Sequence, residues 1–143
     1  MQTFVPSTDI YECGHVLDRA RLGKQRVETL QLIRCNLDIT LGWKNHPAAK
    51  MWVNNINGLI AYGVTMCDIW IARGYKDTCR EKMLSYGEPD FDDMPFWWGD
   101  NKVHSSHRAN LLRKDIVHYS QFGWTENPEM PYFWPTEDVV FPS

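Results

Sequence analysis

From Pro47 to Arg73 the chain places apolar side chains at Ala49, Trp52, Ile56, Leu59, Ile60, Val64, Cys67, Trp70 and Ile71. The spacing is helical. The apolar positions cover so much of the circumference that little of the helix is left to face water. Such a segment has to be the central, most buried element, with the remaining chain wrapped around it. Its limits are marked as well. Asn45 or His46 can cap the start, Pro47 suits a first turn where no amide donor is missed, and Gly74 supplies the stop. The whole chain has 143 residues and is 43% hydrophobic. That is enough for one compact domain, residues 1–143, with a real core.

A second helix is read from Leu17 to Leu37, LDRARLGKQRVETLQLIRCNL, with Ala20, Val27, Leu30, Ile33 and Leu37 on one stripe. Its first half carries Arg19, Arg21, Lys24 and Arg26 with no acid among them, and Glu28 follows directly. A merely solvated face mixes the signs three or four residues apart. A cationic run beside one carboxylate suits a phosphate-binding surface with a catalytic acid. The alternative is a core helix whose outer face is basic. Gly23 inside it costs about 1 kcal/mol relative to alanine, tolerable where a phosphate or another helix comes close. A third helix is expected over residues 102–115, with Leu111 and Leu112 turned inward. Its Ser105, Ser106, His107, Arg108, Asn110, Arg113 and Lys114 form a dense polar and cationic set. Arg, Lys, Ser and Asn are the residue types that contact phosphates. His46, just before Pro47, reads either as a functional imidazole or as a cap.

Residues 1–16 look extended or irregular, with Pro6 and Gly14 as breakers. Asp77 or Thr78 begins a shorter helix to about Tyr86, stopped by Gly87. GEPDFDDMPFWWGDN has no convincing period and reads as a loop, and the proline- and aromatic-rich tail from Thr125 is expected to wrap as ordered coil. The expected fold is all-α, with three main helices, a short one and irregular aromatic-rich loops.

Several function classes are excluded. No apolar run is long enough to span a bilayer, and no charged-then-apolar start marks a signal peptide. A cytoplasmic or nucleoid-associated protein, not a secreted one, is expected. Cys13, Cys35, Cys67 and Cys79 form no CxxC pair and read as reduced thiols. His104 and His107 lack partners at a matching spacing for zinc, and Asp90, Asp92 and Asp93 read as a solvated turn. No phosphate-cradling loop or nucleophile elbow is present. Neither metal nor cofactor is expected. The net charge of −3 conceals a polar layout, because residues 1–82 hold eleven Lys/Arg against eight Asp/Glu and residues 101–124 hold four against one. Local patches set the field at a cleft, so DNA is permitted as a partner. Seven tryptophans are core or stacking surfaces for bases, and for Trp97 and Trp98 both readings stay open.

Taken together and in order, RLGKQRVETL with Glu28, GWKNHPAAKMW with His46, the Arg73–Gly74 pair in IARGY, and HRANLLRKDIVHYSQFGW resemble the pyrimidine-dimer DNA glycosylase (endonuclease V-like) family. The similarity spans roughly residues 1–124. The resemblance implies a compact helical enzyme acting on damaged or modified bases of double-stranded DNA. It implies that the N-terminal amine is the nucleophile. That amine attacks the sugar carbon bearing the base and gives an imine, and β-elimination then cuts the strand. Glu28 matches the family's catalytic carboxylate. Position 2 is Gln2, whose bulk hinders removal of the initiator residue, so the amine is that of Met1. Arg21, Lys24, Arg26, His46, His107, Arg108, Arg113 and Lys114 are the expected DNA contacts, and a monomer is expected. Two alternatives accompany this reading. One is a non-catalytic nucleic-acid-binding module. The other is a hydrolytic, monofunctional glycosylase in which Glu28 activates water.

Overall fold

The computed structural model describes residues 2–37 and 46–135. These residues form seven α-helices and one 3-10 turn, and among them there is no strand. The helices are α1 (Ile10–Val16), α2 (Arg19–Asn36), α3 (Pro47–Lys50), α4 (Ile56–Ala72), α5 (Arg80–Leu84), α6 (Asn101–Lys114) and α7 (Ile116–Tyr119). The all-α expectation holds, and α2, α4 and α6 are its three main helices. Met1, Gly42 and Asn45, which entered the sequence reading, lie outside the described residues.

The central position of α4 follows from its composition, since every residue from Gly58 to Cys67 is buried. α2 lies along it at close range. A Cβ on Gly63 would stand 2.7 Å from Thr29 Cγ2, so glycine is what lets the two helices approach. One continuous hydrophobic cluster includes Leu22, Leu32 and Ile33 of α2, Leu59, Tyr62 and Met66 of α4, and Val103 and Leu111 of α6.

The helix expected over Pro47–Arg73 is broken into α3 and α4. Asn55 leaves the helical region at φ −136°, ψ 53°. From the distant loop, Asp93 accepts from Asn55 Nδ2 at 2.9 Å and from the Gly58 backbone N–H at 3.2 Å. A carboxylate on otherwise orphaned first-turn donors caps α4 where the hydrophobic period gave no break. The turn carries Trp52 into the core at 0% exposure.

Residues 10–16 are helical rather than irregular. Asp9 caps the Tyr11 N–H at 3.0 Å, and Gly14 sits inside α1 because a Cβ there would lie 2.3 Å from Ile69 Cδ1 of α4. The stripe of α2 is also rotated from the expected one. Leu30 and Ile33 are buried, but Val27 and Leu37 are 44% and 39% exposed and Ala20 faces solvent. Leu22, Gln25, Thr29 and Leu32 take the inner side instead, two of them polar, which is why apolar residues alone misplaced the face. α5 is shorter than expected at both ends. Asp77 stands before it and accepts the Arg80 N–H at 2.8 Å.

The tail from 125 to 135 is coil, held on α6 by Asn110 Nδ2 donating to Met130 O at 3.1 Å and by the Phe133 N–H on Ser106 Oγ at 3.1 Å. Trp97 is 1% exposed and donates to Met51 O at 2.8 Å; Trp98 is half-buried and donates to Thr8 O at 3.1 Å. Both belong to the packing around Trp52. No helix of the described residues is long and apolar enough to cross a membrane.

Candidate active site

α2 presents Arg21, Lys24 and Glu28 along one edge, and these three line a cleft of about 510 Å³. His46 closes one side, Lys114 at the end of α6 another, and Tyr132 and Trp134 from the coil form an aromatic wall. The floor is the N-terminal segment, through Gln2 and Phe4.

That segment is tied at every residue. Gln25, 1% exposed, places its side-chain amide against the segment as a neighbouring strand would. It donates to Gln2 O at 2.7 Å and accepts the Phe4 N–H at 2.9 Å. Trp52 Nε1 donates to Thr3 Oγ1 at 3.0 Å, and the Tyr62 hydroxyl donates to Phe4 O at 2.6 Å. Two histidines of α6 clamp Val5. His107 Nδ1 accepts its N–H at 3.0 Å, and His104 Nδ1 donates to its carbonyl at 2.7 Å. At the start of the segment, the Gln2 N–H donates to Glu28 Oε2 at 3.2 Å. The residue bonded to that nitrogen is Met1, which lies outside the described residues.

Electrostatics divide the cationic residues into two groups. Lys24, 78% exposed at its side chain, stands 3.9 Å from Glu28 Oε1, a solvated pair of small energetic weight. Arg21 is held by Asp18 at 3.1 Å, and the Tyr119 hydroxyl donates to the same carboxylate. Burial alone would raise the Asp18 pKa, but the bonds from Tyr119 and Arg21 outweigh it and the net shift is downward. Asp18 therefore remains an anion that orients the guanidinium. Lys114 is exposed at a helix C-terminus, where the macrodipole favours a cation.

Arg26 is turned away from the cleft. It forms a buried ion pair with Asp77 and lies over the Trp70 ring at 4.5 Å. Two residues beyond Lys24 is about 200° round a helix, so the basic run cannot present all its charges together. Arg108 is occupied by Pro6 O at 2.8 Å and Glu126 at 2.9 Å. Arg113 bonds Pro128 O at 3.2 Å and the Asn110 side chain. Both brace the coil that carries the aromatic wall. His107 is fully buried in the Val5 clamp and cannot meet a phosphate in this arrangement. Of the expected DNA contacts, the cleft thus gathers Arg21, Lys24, His46 and Lys114 around Glu28 and leaves Arg26, His107, Arg108 and Arg113 outside it.

His46 both caps and faces the cleft. Its Nδ1 accepts the Ala48 N–H at 3.0 Å, and Trp134 meets its ring edge-on at 6.1 Å. Burial lowers its pKa, against the pull of Glu28. Sequence reasoning missed Gln2, Phe4, Gln25, Tyr132 and Trp134. Only the aromatic density of PYFWP signalled the last two. Burial pushes the Tyr132 hydroxyl up to about 12, so the wall stays neutral. Among the described residues, no three His, Cys, Asp or Glu converge to hold a metal ion.

The histidine clamp implies a pH dependence. Burial drives the His107 pKa from an ordinary 6.5 down to about 3, and burial lowers His104 as well. Both are neutral when folded, whereas the unfolded chain binds their protons near pH 6.5. Stability is therefore fully present above that value and is lost as pH falls toward 3, by as much as about 4–5 kcal/mol for His107. Urea unfolding should give a free energy that already declines between pH 6.5 and 5, above the carboxylate range. A flat profile over that interval would disprove the clamp's neutrality.

The family model described as pyrimidine dimer DNA glycosylase matches residues 1–83. No curated protein and no solved structure matches the chain. The matched part holds the N-terminal segment, Glu28, Arg21, Lys24 and His46, while Lys114 and the aromatic wall lie beyond it.

Proposed function

Because the chain belongs to the pyrimidine dimer DNA glycosylase family, we propose that it excises a damaged or modified pyrimidine from double-stranded DNA in the cleft beside Glu28, with the amine of Met1 as nucleophile. The observation that carries this reading is the 3.2 Å bond from the Gln2 N–H to Glu28 Oε2. A single residue's backbone separates that nitrogen from the α-amine, so the segment that bears the nucleophile is tethered to the carboxylate.

The chemistry follows from ordinary reactivity. An α-amine titrates near about 7.7–8.0, against about 10.4 for lysine, so a useful fraction is free base at neutral pH. Its lone pair attacks the sugar C1′ as the C1′–N bond to the base breaks, and the base leaves with a proton. Glu28 stabilises the positive charge developing at the sugar and moves protons to and from the ring oxygen and C2′. The resulting imine loses a C2′ proton and the 3′ phosphate by β-elimination, and water then releases the product. Arg21, Lys24 and Lys114 bind phosphates, and His46 assists at the mouth. Tyr132 and Trp134 face the extruded base, whose departure from the stack costs a few kcal/mol and favours a lesion already poorly stacked. The protein acts as a single-domain monomer on DNA in the cytoplasm or nucleoid.

The test is borohydride trapping on a duplex carrying a cyclobutane pyrimidine dimer, with an abasic duplex in parallel. The expected result is a reduced covalent adduct that maps to residue 1. Cleavage of the glycosidic bond without an adduct would replace the amine by water activated at Glu28. Neither glycosidic cleavage nor adduct on either duplex would leave a DNA-binding module and overturn the proposal.

A further inference from the structure

Residues 7–16 and 87–100 hold seven carboxylates and no Lys or Arg. The fold brings parts of the two stretches together. Trp98 Nε1 donates to Thr8 O at 3.1 Å, and residues 8–11 on one bank face Phe91, Met94 and Trp98 on the other across a groove of about 320 Å³. It shares no lining residue with the cleft beside Glu28. Ile10 is buried in it, Met94 and Trp98 are half-buried, and Tyr11 and Phe91 are each 52% exposed. His15 stacks on Tyr11 with ring centroids 6.1 Å apart, so Phe91 is the more open of the two rings. The backbone that carries Phe91 is held on both sides. The Asp90 N–H donates to Asn57 O at 3.0 Å, Asp93 caps α4, and a Cβ on Gly58 would stand 1.9 Å from Asp93 O. An apolar side chain left in water by a fixed backbone is preorganised for contact. Its surroundings give that contact a sign. Asp9 and Tyr11 line the groove with no cation, and the exposed Asp90 and Asp92 flank Phe91 in sequence. Asp9, Asp90 and Asp92 form no ion pair among the described residues. This field repels phosphates, so nucleic acid is excluded as the occupant.

We propose that the groove docks a basic segment of a partner protein. An apolar side chain of that segment enters between Phe91 and Tyr11, and flanking Lys or Arg side chains meet Asp9, Asp90 and Asp92. The volume has room for roughly one or two apolar side chains. The anchor supplies most of the affinity, charge complementarity selects the partner, and an arginine beside the anchor finds the open half of the Phe91 ring. The proposal stands apart from the DNA reading above. Because groove and cleft share no lining residue, the two ligands can be held together.

The experiment is fluorescence polarisation with a labelled pentapeptide in which one leucine sits between two pairs of arginines. The full chain is expected to bind it, more weakly as salt rises. Replacing the leucine by glycine should weaken binding by about tenfold, and Phe91→Ala should cost the leucine peptide a similar factor. Asp9→Asn combined with Asp92→Asn should weaken it by about fivefold at low salt and flatten the salt dependence; asparagine still caps α1. Phe96→Ala is the control, since Phe96 is 58% exposed in the same loop but lies outside the groove, and it should change nothing. Binding of an abasic duplex should be the same in every variant, and thermal melting checks that each keeps its fold. No binding of the leucine peptide at about 1 mM would overturn the proposal. So would equal binding of the glycine peptide, or equal loss in Phe91→Ala and Phe96→Ala, either of which reduces the effect to diffuse charge. A dimer in sedimentation equilibrium that Phe91→Ala dissolves would give the groove to a second copy of the chain instead.

Discussion

Glu28→Gln should lower base excision by roughly 10²–10⁴-fold, the usual worth of a positioned acid–base group, while binding of a lesion duplex stays close to wild type. Glutamine keeps the shape and still accepts the Gln2 N–H through its carbonyl oxygen, so the tether at 3.2 Å survives. On the proposed mechanism, what disappears is the negative charge opposite the developing oxocarbenium or iminium ion, together with the carboxylate that moves protons. Among the described residues Glu28 is the one carboxylate lining the cleft, so none of them replaces it. Single-turnover kinetics with excess protein separates the two effects. A variant with full excision would show that the carboxylate only holds the N-terminal segment. A variant that loses binding and rate together would place it in DNA recognition.

Adding a Gly-Ser pair before Met1 should abolish the imine. The amine moves away from the point where Gln2 meets Glu28, and a nucleophile displaced from its attack geometry forfeits most of an effective molarity that reaches about 10⁵–10⁸ M in well-oriented systems. Borohydride adducts should fall below detection, and strand cutting by β-elimination should vanish with them. For the unextended protein the rate of adduct formation should rise from pH 6.5 to 8, as the amine loses its proton, and then level off. Acetylation of the amine is the chemical equivalent of the extension and should have the same effect. Full activity of the extended chain would move the chemistry to water.

The fold was largely legible in the sequence, and the site was legible on one edge only. Arg21, Lys24 and Glu28 are three, four and seven residues apart, so helical geometry alone places them together. The same geometry sends Arg26 to the far side, where Asp77, 51 positions later, receives it. No local pattern announces such a partner. The break between α3 and α4 was hidden for a like reason, since the group that enforces it is Asp93, far along the chain. Gln25 and Thr29 had no place in a stripe read from apolar residues alone, whereas burial suits Gln25 when backbone groups of residues 2–4 need partners. The aromatic wall could be suspected from composition, but its place opposite Glu28 depends on the bonds that Asn110 and Ser106 make to the coil.

The clamp on Val5 joins residues 102 and 99 positions apart. Gln2, Thr3 and Phe4 find their partners on α2, Trp52 and α4, whereas Val5 waits for α6 before it is fixed. α1 to α5 can assemble around α4 from the earlier part of the chain, yet the segment beside Glu28 gains its final hold only when α6 closes that long loop, at an entropy cost that grows slowly with length. Final fixing of the segment beside Glu28 is thereby coupled to the docking of α6. A fragment ending before α6 would carry Glu28, Arg21 and Lys24, and still lack the histidine clamp that holds the segment at Val5.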